Sequence, residues 1–101
     1  VKSELRRTGM PLGVMQDAEY TVSKPLRLAK GDVLVLLTDG LEETANPEGE
    51  LFGVDRILQA VHQNRQSKAA KIVESVFETL KDFSGNAEQV DDLTMIVAKA
   101  E

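Results

Sequence analysis

The strongest constraint on this chain is a pair of short apolar runs, Val33 to Leu37 and Leu93 to Ala98, with hydrophobic side chains on both faces. A half-buried strand alternates between apolar and polar, so a strand that does not alternate needs cover on both sides. Between the two runs lie two segments with helical spacing. Val54, Ile57, Leu58 and Val61 fall at i, i+3, i+4 and i+7, and Ile72, Val73, Val76, Phe77, Leu80 and Phe83 repeat with the same period. Ser67 is the expected N-cap of the second helix, and Gly85 stands where a helix of this kind stops. Residues 20–28 partly alternate around Pro25, which cannot donate to a ladder, so an edge strand is expected there. The turn Lys30-Gly31-Asp32 would join it to the Val33 run as a hairpin. The resulting order is strand, strand, helix, helix, strand. This is an α+β class with an antiparallel sheet and two helices on one face. Nothing remains to cover the other face, so residues 1–101 read as a single partial domain completed by more of a longer chain or by a second copy, that is, a homodimer. The absence of an initiating methionine agrees with a longer chain.

Composition narrows the function classes. Apolar residues make up 42% of the chain and the formal net charge is −5, which suits a globular domain. There is no cysteine, which excludes disulfides, thiolate metal sites and cysteine nucleophiles. The longest unbroken apolar run is Val33 to Leu37, far below the ~20 residues that span a bilayer. No leader-like segment opens the chain, so a cytoplasmic protein without a membrane partner is expected. The acidic balance and the scarcity of aromatic residues argue against nucleic acid.

The acids are unevenly placed. Between Lys30 and Arg56 there is no basic residue, while Asp32, Asp39, Glu42, Glu43, Glu48, Glu50 and Asp55 fall inside that stretch. A second group, Glu88, Asp91 and Asp92, precedes the last apolar run. Solvated turns are the plain reading of both groups: Asp39-Gly40 ends a strand, Asn46-Pro47-Glu48-Gly49 marks a loop, and Glu42-Glu43 would suit the start of a short helical turn. If the two apolar strands are antiparallel neighbours, however, Asp39 and Asp91 meet at one edge of the sheet. Two converging carboxylates repel, and a proton or a hard cation relieves that repulsion. Other acid chemistries fit less well. An EF-hand loop counted from Asp39 would end at Glu50, but Leu41 and Thr44 occupy positions that need an oxygen ligand and a glycine. A serine triad would have to use His62, the single histidine, which reads as a helix surface residue.

Four pieces in order carry a resemblance: Gly9-Met10-Pro11-Leu12-Gly13, then Lys30 to Glu43 with its Thr38-Asp39-Gly40 core, Leu51-Phe52-Gly53, and Asp91-Asp92-Leu93-Thr94-Met95-Ile96-Val97. Together they resemble the C-terminal half of the metal-dependent Ser/Thr phosphatases of the SpoIIE and RsbU type, within the PPM superfamily. The resemblance implies a share of an α-β-β-α sandwich and a site for two Mn²⁺ or Mg²⁺ ions. It places Asp39 and Asp91 as metal ligands, Asp92 where many relatives have asparagine, and Gly40 as a structural glycine. It further implies direct attack on phosphorus by a metal-activated water, on a phosphoserine of an anti-anti-sigma (STAS-like) regulator. The family's other ligands sit in an N-terminal Asp-x-x-Gly-His-Gly motif that residues 1–101 lack. The expectation is therefore half a metal site and an isolated chain without activity. The alternative is a degenerate or truncated phosphatase fold that binds a protein partner without turnover.

Overall fold

The computed structural model describes residues 3–5, 9–87 and 92–101. Strand β1 (Val33–Leu37) runs into a single-turn helix, α1 (Asp39–Glu42). Helices α2 (Gly53–Gln63) and α3 (Ala69–Ser84) follow, and strand β2 (Met95–Lys99) closes the order. The strands pair antiparallel, with Val33 opposite Lys99 and Leu37 opposite Met95. Among the described residues this is a two-stranded sheet.

The residues at 20–28 are exposed and form no strand, which corrects the expected edge strand. The turn before β1 does form: the Asp32 amide donates to the Ala29 carbonyl at 2.9 Å, and the Asp32 carboxylate accepts the Ala29 amide at 2.9 Å. It delivers the chain to β2 instead of back along a hairpin, because Gly31 N–H donates to Ala100 and Ala100 N–H to Asp32. Pro25 has no amide to offer a ladder, and the backbone flanking β1 finds its partner in the last strand.

One face of the sheet is covered. Val33, Val35, Leu37, Met95 and Val97 pack against a core of Leu41, Phe52, Ile57, Ala60, Val61, Ile72, Val76 and Leu80. On the other face Leu36 and Ile96 remain 49% and 57% exposed. Both apolar runs therefore do carry a second hydrophobic face, and these residues leave it open. The helices form where their stripes fall, with Ile72, Val76 and Leu80 of α3 fully turned inward. Ser67 lies one residue before Lys68, the N-cap of α3, and its carbonyl instead accepts the Lys99 ammonium at 2.9 Å. Gly85 ends α3 at φ 54°, a conformation that carries little cost for a residue without Cβ.

The loop between α1 and α2 is held from within. The Asn46 side chain accepts the amides of Glu48 and Glu50, and Ala45 bridges Leu51. Arg56 then fastens it to α2, donating to the carbonyls of Leu51 and Phe52 while its guanidinium stacks 4.5 Å from the Phe83 ring centre.

Candidate functional site

The site is a corner of the sheet, where the end of β1 meets the residues leading into β2. The β1–β2 register carries on for one more pair, so that Thr38 lies opposite Thr94 and its amide donates to the Thr94 carbonyl at 3.0 Å. The Thr38 hydroxyl accepts the Thr94 amide at 3.2 Å and shares its own proton between the carbonyls of Asp92, at 3.4 Å, and Thr94, at 3.5 Å. Asp39 then opens α1. That turn is closed by backbone bonds from Leu41 to Thr38 and from Glu43 to Asp39, and by the Thr44 hydroxyl, which donates to the Gly40 carbonyl at 2.7 Å. Leu41, fully buried, anchors the turn in the core.

Gly40 makes the closest approach. A Cβ built there would collide with the Asp92 carbonyl oxygen and lie 3.2 Å from both the carbonyl carbon and a Leu93 methyl. The residue after Asp39 thus lies against the backbone of Asp92, with no room for a side chain between them. Gly40 is not at positive φ, so it is required here by close approach and not by backbone conformation.

Several carboxylates crowd the same corner. Burial at the foot of α1 raises the Glu42 carboxyl above its ordinary value, and the Asp39 carboxylate raises it further by charge and by a hydrogen bond, with smaller contributions from Glu43 and Glu4. Glu42 and Glu43 lie at the end of the α1 turn rather than at its start, because Asp39 is its first residue.

Asp39 and Asp92 are both exposed, and the backbones carrying them meet at this corner. Asp91 lies outside the described residues. Among the described residues no three of the His, Asp and Glu side chains gather into a group able to hold a metal ion. Their oxygen chemistry suits Mg²⁺ or Mn²⁺, but the described carboxylates fall short of a full ligand set. His62 is exposed on α2. Sequence reasoning passed over the Thr38 hydroxyl. Its signal is a β-branched hydroxyl residue directly after an apolar strand and directly ahead of Asp-Gly.

The fold has relatives among phosphatases. The structure matches the SiaA-PP2C domain of Pseudomonas aeruginosa with a TM-score of 0.70 and 26% identity, over 75% of this chain and 31% of that one. The α+β arrangement is thus part of a PP2C-type (PPM) phosphatase fold. The family described as Stage II sporulation protein E (SpoIIE) matches residues 1–101, and the chain belongs to that family. Among curated proteins it is 30% identical over 99 residues to the phosphoserine phosphatase RsbU of Bacillus subtilis, covering 95% of this chain and 28% of RsbU. It is 29% identical over 96 residues to protein IcfG of Synechocystis, covering 95% of this chain and 15% of IcfG. The chain spans less than a third of either relative. No helix among the described residues is long and apolar enough to cross a membrane.

Proposed function

We propose that this chain supplies the C-terminal part of the active centre of a phosphoprotein phosphatase acting on phosphoserine or phosphothreonine. Asp39 and Asp91 serve as ligands to Mn²⁺ or Mg²⁺, with Asp92 beside them. When bound, such ions lower the pKa of a water and neutralise charge on the phosphoryl oxygens. The protein's own part is to hold the carboxylates of two distant segments at one corner. The observation that carries this reading is the contact of Gly40 with the Asp92 backbone, which seats the Thr38-Asp39-Gly40 turn on the segment that follows Asp91. The Glu42 carboxyl is raised first by burial and then by the Asp39 carboxylate, and a divalent cation relieves the second of these. The likeness to RsbU, by name a phosphoserine phosphatase, supports the substrate class. From the resemblance of its motifs we further propose a phosphorylated anti-anti-sigma (STAS-like) regulator as the substrate.

The test is Mn²⁺-dependent release of phosphate from a phosphoserine protein by the full protein, native against Asp39→Asn. Loss of a ligand should lower turnover by about a hundredfold or more, since a catalytic cation contributes several kcal/mol at roughly 1.4 kcal/mol per decade. Unchanged Mn²⁺-dependent turnover would overturn the ligand assignment. A native protein that binds the phosphoprotein and never releases phosphate would instead be a non-catalytic binding module.

A further inference from the structure

A threonine at a helix N-cap ordinarily turns its hydroxyl onto the first-turn amides of its own helix. Thr38 occupies that position ahead of α1 and makes no such bond. Its own backbone carbonyl takes the Leu41 amide, and its hydroxyl reaches across to the other strand. There it accepts the Thr94 amide and turns its proton toward the carbonyls of Asp92 and Thr94, residues 54 and 56 positions away in sequence. Gly40, two residues on, touches the same Asp92 carbonyl oxygen. The Asp39 backbone is therefore bracketed by two attachments to one short stretch of the facing segment, one a hydroxyl and one a glycine contact.

We infer that Thr38 is a positioning residue, whose hydroxyl fixes the spacing between Asp39 and Asp92 by clamping the end of β1 to the residues that enter β2. The inference rests on the reading that those two segments share a cation site, but the clamp itself is a property of the described hydrogen bonds. Valine keeps the branched shape and loses the hydroxyl, whereas serine keeps the hydroxyl and loses the methyl. Thr38→Val and Thr38→Ser therefore separate hydrogen bonding from packing.

Two readouts in the full chain test it. In hydrogen exchange followed by NMR, the Thr94 amide should exchange about fivefold faster in Thr38→Val, the loss of one net hydrogen bond. It should stay near native in Thr38→Ser, with Ile72 and Val76 of α3 as internal controls. In a titration with Mn²⁺ alone, native protein and Thr38→Ser should lose the amide signals of Asp39, Gly40, Asp92 and Leu93 together at low metal. In Thr38→Val, Asp92 and Leu93 should require several-fold more Mn²⁺ than Asp39. If valine leaves both readouts native, or if serine fails as badly as valine, the hydroxyl is not the clamp. If valine also loosens α3, restoration by serine alone upholds the inference, and failure of serine overturns it. If native protein shows no joint broadening, the shared-site reading falls, and the Thr94 exchange difference still decides whether the clamp exists.

Discussion

At the scale of single residues, the corner is set by what has been left out as much as by what is present. Gly40→Ala would place a methyl on the Asp92 carbonyl oxygen, a backbone atom that cannot swing aside as a flexible side chain would. We expect a loss of about 1–3 kcal/mol, the usual cost of overpacking, read as a lower thermal midpoint. Alanine scoring as stable as native would mean that the turn and the Asp92 segment can part without cost. Glu42 gives a pH signature. Its folded-state pKa is raised above the ordinary 4.5, so the folded state holds that proton more tightly than the unfolded chain does. This contribution to stability is fully present below the unfolded pKa and is lost as pH rises through the folded pKa. Glu42→Gln should therefore be more stable than native at pH 7, and the two should converge at acid pH, as measured by melting across that range. A native protein as stable as the glutamine variant at neutral pH would show that the repulsion is relieved elsewhere.

At the scale of elements, β2 presents two faces with different surroundings. Val97 packs toward the helices, while its neighbour Ile96 points to the open side at 57% exposure. Val97→Ala should cost about 1–2 kcal/mol through lost burial, and Ile96→Thr should stay within roughly 0.5 kcal/mol, both from denaturant unfolding of the chain. Equal costs would mean that something covers the open face in solution. The two helices were legible in sequence because Ile57, Val61, Ile72, Val76 and Leu80 keep the helical period, and all five are buried. The buried stripe on α2 is slightly rotated from the one its spacing predicts: Val54 is 42% exposed, while Ala60, too small to stand out in a hydrophobic pattern, is buried. Residues 20–28 misled because alternation is a pattern of side chains, and a strand also needs backbone partners, which nothing in their spacing reveals.

At the scale of the whole molecule, the pattern permits the two apolar runs to be antiparallel neighbours without requiring it, and the β1–β2 register shows that they are. The open face left by two helices over a small sheet was also legible, since neither run alternates. The interlocking of Thr38, Gly40 and Asp92 was not, because it depends on the exact pairing of residues more than fifty positions apart and on a hydroxyl's choice between two sets of partners. That separation has a temporal consequence. Among the described residues neither strand has a local hairpin partner, so the loop between them closes across both helices, and the entropy of that closure is lost before any sheet bond compensates it. Helices α2 and α3 can pair early, through contacts near in sequence. The acidic corner joins residues more than fifty positions apart, so it exists only where β2 is docked on β1.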